Sequence, residues 1–286
     1  MKIENNCYGF IGLGLIGGSI AKALKQYSPQ TRIIAYNRTT SVLERACEEQ
    51  IVDLACEEVD ERFAECDYIF LCLPVSYNVQ YLKRLSTIVK KNCIITDAGS
   101  VKTDIHREVS KLGMAAQFIG GHPMAGSDKT GYEHSTADLL TNACYIITPS
   151  EQSSPEALQE YYDLVKQLGA IPLILGYEEH DSMTANISHV PHIIAASLAN
   201  LIQDHDNEQQ VLKKIAAGGF KDTTRIAAGS PVMWQQICMT NSEAICHVLD
   251  AYIDELKQIR GLVASHSSEE IYQFFKKAQT YRNEFN

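Results

Sequence analysis

No stretch of this sequence is long and apolar enough to cross a bilayer. A span needs about 20 residues, and the longest apolar run, around 193–202, is interrupted by Ser197 and Asn200. The opening Met1-Lys2-Ile3-Glu4-Asn5-Asn6 has no apolar core, so no signal peptide is expected. Positive charge is also scarce. Lys and Arg number 25 against 35 Asp and Glu, a formal charge of −10, and the isoelectric point is near 5.4. Non-specific nucleic-acid binding needs a surplus of cations against phosphate, so that class is disfavoured. Anionic small substrates stay open, because a few placed Arg residues override net charge locally. The nine cysteines contain no CxxC pair. Their odd number and their apolar settings, as in Phe70-Leu71-Cys72-Leu73, predict reduced, buried thiols in a cytoplasmic protein, not a zinc site or disulfide framework. Internal repeats and low-complexity tracts are absent too.

What is present is a globular composition, 45% apolar and 21% charged. At roughly 100–200 residues per domain, 286 residues suggest two domains, each able to bury a core. The first part alternates short apolar runs with helical periodicity. Strands are predicted at 7–11, 32–36, 67–73, 93–96, 117–119, 145–148 and 171–175, and helices at 20–26, 41–50, 79–89 and 155–168. Such alternation, with strands apolar throughout, predicts an α/β fold whose mostly parallel sheet is covered on both faces. From residue 178 onward long helices dominate, at about 178–203, 208–217, 232–261 and 267–282. The boundary is placed near Gly176, giving a nucleotide-binding domain at 1–176 and a helical domain at 177–286.

Gly12-Leu13-Gly14-Leu15-Ile16-Gly17 is a GxGxxG that follows the first strand and opens the first helix. In a Rossmann domain its glycines serve the tight turn, the approach of the pyrophosphate and helix–strand packing. The helix N-terminus then offers free N–H groups to phosphate. Asn37, at the end of the second strand, stands where an Asp would favour NAD by repelling a 2′-phosphate. Asn37 removes that repulsion and Arg38 can pair with the phosphate, so the charge argument favours NADP over NAD.

Four further clusters carry chemistry. Gly120-Gly121-His122-Pro123-Met124-Ala125-Gly126-Ser127-Asp128 is predicted to leave the end of a strand, with a restrained imidazole and room for a ligand. Asp97-Ala98-Gly99-Ser100-Val101-Lys102 is a second strand-end loop, in which Ser100 either faces the nicotinamide or caps the next helix. In the helical part, His180-Asp181 precedes Ser188-His189-Val190-Pro191-His192, with His189 and His192 on one helix face and Pro191 expected to kink it. No carboxylate spacing completes a metal site with that pair, so no metal is expected. Lys221 and Arg225 lie in Gly218-Gly219-Phe220-Lys221-Asp222-Thr223-Thr224-Arg225, where an Arg can clamp a carboxylate or serve as a surface ion pair.

Taken together these residues resemble the prephenate dehydrogenase family, tyrosine-pathway oxidoreductases that include arogenate dehydrogenases. The likeness rests on GLGLIGGS at 12–19, DAGSVK at 97–102, GGHPMAGS at 120–127, SHVPH at 188–192 and FKDTTRIAAGSPVMW at 220–234. It implies a Rossmann domain followed by an all-helical dimerisation domain, a homodimer, and NAD(P)-dependent oxidative decarboxylation of prephenate. By resemblance His122 bonds the ring hydroxyl, Arg225 binds a substrate carboxylate, and Ser100, His192 and Lys221 line the pocket. Ser127-Asp128 stands where many members have Thr-Glu, and the shorter acid keeps the charge with a different reach. Arogenate as substrate, a 3-hydroxyacid-type dehydrogenase and a non-catalytic dinucleotide-binding regulator are the alternative readings. The second leaves GGHPMAGS unexplained and lacks a comparable catalytic Lys setting.

Overall fold

The computed structural model describes residues 6–126 and 129–285. The first part interleaves β1 (Cys7–Ile11), α1 (Leu15–Tyr27), β2 (Arg32–Tyr36), α2 (Thr40–Glu48), β3 (Leu54–Cys56), β4 (Tyr68–Leu71), α3 (Val75–Leu85), β5 (Ile94–Asp97) and α4 (Thr103–Lys111). The five strands are parallel in the order β3-β2-β1-β4-β5. Strand order reverses beside β1, which opens a crevice at the carboxyl ends of β1 and β4.

Side-chain alternation explains how the sheet is filled. Tyr8 and Phe10 of β1 face one buried cluster with Tyr68 and Phe70 of β4. The intervening Cys7, Ile11, Ile69 and Leu71 face the other. Across the pair, Tyr8 stacks on Tyr68 at 5.3 Å and Phe10 on Phe70 at 5.1 Å between ring centroids. A continuous apolar run is what a strand buried on both faces requires.

A smaller sheet follows: β6 (Ile119–Pro123), β7 (Cys144–Pro149) and β8 (Ile171–Ile174), with α5 (Pro155–Gln167) between the last two. β6 runs antiparallel to β7, and β7 parallel to β8. A single parallel bridge, Ile95 to Phe118, joins it to β5. This corrects the sequence reading twice. Gln117 belongs to a short turn, and Gly120-Gly121-His122-Pro123 is itself the strand, not a loop leaving it.

The helical part comprises α6 (Tyr177–Thr184), α7 (Val190–His205), α8 (Val211–Ile215), α9 (Gly218–Thr224), α10 (Pro231–Thr240), α11 (Ser242–Ala264) and α12 (Ser268–Arg282). A π-turn at Ala185–His189 joins α6 to α7 and places Pro191 in the first turn of α7, where a missing N–H is tolerated. The helix expected at 232–261 is interrupted at Asn241. Its core is small: Ala185, Val190, Ile237 and Ile245 close around Val101, contributed by the β5–α4 connection. Ile187, Ile215, Met239 and Phe275 are exposed. Of the nine free thiols only Cys7, Cys56, Cys66 and Cys93 are buried, and Cys246 is exposed, so the expectation of uniformly buried thiols does not hold.

Candidate active site

The glycine loop has the shape a dinucleotide needs. Gly12 sits at φ +99°, a conformation that side chains resist, and a Cβ there would strike Leu73 and the Cys72 carbonyl. A Cβ on Gly17 would collide with the Gly12 carbonyl and meet the Cys72 side chain, so this position needs glycine for packing. A Cβ on Gly14 would meet nothing within 4 Å. That open space adjoins the first turn of α1, formed by Leu15, Ile16 and Gly17, whose N-cap Gly14 has no side chain to satisfy the free N–H groups. A phosphate fits the geometry and the dipole.

Asn37 does something the sequence did not suggest. Its Oδ1 accepts the Leu13 N–H at 3.1 Å and its Nδ2 donates to the Thr39 carbonyl at 3.1 Å, bracing the glycine loop. Arg38 is exposed beside it, on a pocket of about 280 Å³ also lined by Tyr36, Thr40, Leu43 and Glu57.

From this crevice a series of neighbours leads to His122. Cys72 follows β4, Leu71 pairs with Asp97, and Asp97 Oδ1 accepts the Gly121 N–H at 3.4 Å. The other oxygen of Asp97 accepts the Gly99 N–H at 2.9 Å and forms a buried ion pair with Lys102. Lys102 also donates to the Gly121 carbonyl at 2.7 Å. His122 is therefore held on a strand whose preceding peptide is clamped from both sides.

His122 is buried, and its Nδ1 lies 2.8 Å from His180 Nε2. His180 Nδ1 lies 2.8 Å from Asp181 Oδ1. Burial, reinforced by the neighbouring His180, Lys102 and His189, pushes the His122 pKa well below the ordinary imidazole value. Burial also lowers His180, against the opposing effect of the hydrogen bond it donates to Asp181. For Asp181 burial acts upward, but hydrogen bonds from His180, Thr103 and Lys102 outweigh it and hold the carboxyl below its usual range. Burial takes His189 down to about 4, and its Nε2 has no hydrogen-bond partner among the described residues. The cluster thus combines neutral imidazoles with one ionised carboxylate.

The remaining residues selected from the sequence fall into four groups. Ser100 is half-buried in the β5–α4 connection and does not cap α4, whose N-cap is Lys102. His192 stacks on Trp234 at 3.9 Å, and its Nδ1 donates to the Ser188 carbonyl at 2.8 Å. Lys221 and Arg225 lie exposed on α9 and the turn after it, which pack on α7, the helix carrying His192. The groups acting on His122 among the described residues are His180, Lys102 and His189. Ser127 and Asp128 lie outside the described residues. Among the described residues no group of three His, Cys, Asp or Glu side chains is arranged to hold a metal ion. No helix is long and apolar enough to cross a membrane. The sequence reading left Lys102, His180, Asp181 and Asn241 outside its site, although the His180-Asp181 dipeptide at the start of the helical part was a visible signal.

Two family models match the chain: prephenate dehydrogenase, nucleotide-binding domain, over residues 20–173, and prephenate dehydrogenase, dimerization domain, over residues 177–277. The chain belongs to the prephenate dehydrogenase family. It is 36% identical over 274 residues to the prephenate dehydrogenase of Bacillus subtilis, covering 95% of this chain and 74% of that one. The crystal structure of prephenate dehydrogenase from A. aeolicus, in complex with hydroxyphenyl propionate and NAD+, superposes with a TM-score of 0.93 at 28% identity over 98% of both chains. Synechocystis arogenate dehydrogenase gives a TM-score of 0.87 at 30% identity, over 98% of this chain and 100% of that one. Membership makes the chain an oxidoreductase with an NAD(P)-binding Rossmann domain and a helical domain, as the sequence patterns led one to expect.

Proposed function

We propose that this chain oxidatively decarboxylates prephenate to 4-hydroxyphenylpyruvate with NAD(P), a step of tyrosine biosynthesis. The observation that carries the reading is a neutral, buried His122 at the carboxyl edge of the nucleotide-binding sheet. The name of the Bacillus subtilis relative supports prephenate over arogenate.

Gly12, Gly14 and Gly17, with Leu15 and Ile16 in the first helical turn, would hold the dinucleotide, which supplies a hydride acceptor when bound. His122 accepts the proton of the ring hydroxyl as C4 is oxidised. CO2 leaves C1 and the ring becomes aromatic, so the chain's main task is placement. Arg225 holds an anionic end of the substrate. Ser100, His192 and Lys221 line the same site in this reading. Arg225→Ala should raise KM for the organic substrate by about 10- to 100-fold, the worth of one charge-assisted contact. Cofactor affinity should stay unchanged, and a loss confined to cofactor binding would contradict the role.

NADP is favoured over NAD. Asn37 carries no charge and Arg38 is free of the glycine loop's own bonding, although Glu57 across the pocket opposes a 2′-phosphate. Arg38→Ala should therefore cost more kcat/KM with NADP than with NAD. A homodimer accords with the dimerization-domain match and with the exposed apolar residues of the helical part. The division between domains is placed at Gly176, the N-cap of α6. The nine free thiols support a cytoplasmic location.

Turnover, followed by the absorbance of reduced nicotinamide, tests the function. Prephenate should be oxidised faster than arogenate or a 3-hydroxy acid. Tight dinucleotide binding with no turnover of any of them would instead indicate a regulator.

A further inference from the structure

We propose that Asp181 is a positioning residue that fixes the tautomer of His122 through His180, leaving His122 Nε2 as the basic atom. The inference rests on reading His122 as the proton acceptor and adds what makes one of its nitrogens fit for that work.

Asp181 Oδ1 accepts the Lys102 N–H at 2.8 Å, and Oδ2 accepts the Thr103 N–H at 2.8 Å. Both oxygens are thereby tied to the start of α4, across the boundary between the sheet and helical parts. An ionised carboxylate can only accept. His180 Nδ1, at 2.8 Å from Oδ1, must then carry the hydrogen. A neutral imidazole protonated at Nδ1 presents a lone pair at Nε2. That lone pair faces His122 Nδ1 at 2.8 Å, so His122 Nδ1 donates. The second nitrogen of His122 is left with its lone pair. The reverse tautomer would set two lone pairs, or two hydrogens, against each other inside a buried site.

The surroundings keep this chain of bonds rigid. The Asp181 carbonyl accepts from Asn241 Nδ2 at 2.8 Å, and Thr184 Oγ1 donates to the His180 carbonyl at 2.9 Å. Asn241 Nδ2 also lies 3.1 Å from His189 Nδ1. Asn241 is the point where α10 ends and α11 begins, so the helix break serves the same anchor. As His122 gains a proton, His180 passes the resulting polarisation toward Asp181. The positive charge is then opposed by an anion that the buried Lys102, paired with Asp97, leaves uncompensated.

Two variants separate this role from a merely structural tie. Asp181→Asn keeps the shape but can point its amide at His180 Nδ1, which reverses the relay and protonates His122 at Nε2. Its kcat should fall by up to about 10⁴-fold, the loss that follows when a buried carboxylate that sets an imidazole tautomer is replaced by an amide. KM and cofactor affinity should stay within about threefold. His180→Gln can still accept from His122 Nδ1 through its side-chain carbonyl, so it should keep kcat within about tenfold. Nitrogen-15 NMR of histidine-labelled full-length protein reads the tautomer directly, without any substrate. The expected resting state is His122 protonated at Nδ1, switching to Nε2 in Asp181→Asn. A resting His122 protonated at Nε2, or Asp181→Asn with wild-type kcat, overturns the proposal. Equal losses in both variants with an unchanged spectrum would also overturn it. The spectrum of the resting protein stands apart from the choice of substrate, so failure to oxidise prephenate would reject the functional reading and leave this assignment intact.

Discussion

At the scale of single residues, each glycine of the loop has its own job, and substitution should separate them. Gly14→Ala adds a methyl into open space at φ −92°, so stability should hold while dinucleotide affinity falls by about tenfold or more. Gly17→Ala drives a methyl into the Gly12 carbonyl and should cost about 1–3 kcal/mol of stability as well. Thermal melts beside dinucleotide titrations check both, and equal stability losses would contradict the division of roles. His122 makes a pH statement. Its pKa is depressed by burial and by His180, Lys102 and His189, so it stays neutral and able to accept well into mildly acid solution. The acid limb of kcat/KM should therefore lie below the ordinary imidazole value of about 6.5. A limb centred at that value would mean that the site does not act on His122 as described. Roles for His122 and the glycine loop could be proposed from the sequence because each depends on a short contiguous pattern. Those of His180 and Asp181 were not, because their bonds reach 58 residues back to His122 and 79 back to Lys102.

Elements record a competition between local preference and packing. The sequence placed His122 in a loop because Gly-Gly-His-Pro is poor strand material. The strand forms because neighbours use the space that side chains would take. A Cβ on Gly120 would strike the Thr148 hydroxyl, and one on Gly121 would come within 2.6 Å of Tyr145 Oη and 2.7 Å of Tyr161 Oη. β3 escaped notice because it is only three residues long, half-buried at Leu54, exposed at Ala55 and buried at Cys56, too short to give a usable period. The parallel strands were recognisable because their apolar runs are unbroken. Lys102 is where elements are tied together: it joins β5, through Asp97, to β6, through the Gly121 carbonyl. Removing it by Lys102→Ala leaves the Asp97 carboxylate buried without its partner, which should cost about 3–5 kcal/mol. Urea unfolding would show this as a lower midpoint, and an unchanged midpoint would show the pair to be dispensable.

For the whole molecule, buried neutral imidazoles link stability to pH. Burial lowers His106 to about 3 and His189 to about 4 in the folded chain. Unfolding frees both to bind protons near 6.5. Their contribution is complete above that value and is lost as pH falls toward 4, with a slope of up to about 1.4 kcal/mol per pH unit for each group. Urea midpoints between neutral pH and pH 5 should decline accordingly, and a flat profile would contradict the burial of these rings. The helical part has no buried residue in α8, α9 or α12, which is expected of a surface that closes on a second copy. Sedimentation equilibrium should return twice the chain mass of 31.8 kDa, whereas a single-chain mass at assay concentration would remove the dimer from the account.

The central claim is that a neutral His122 takes the hydroxyl proton while prephenate is oxidised. Its most direct test is the turnover of His122→Asn with prephenate and saturating dinucleotide, with dinucleotide affinity measured alongside. With His122 as the proton acceptor, kcat should drop roughly 10²- to 10⁴-fold while affinity is retained. A variant that turns over at the wild-type rate would contradict it.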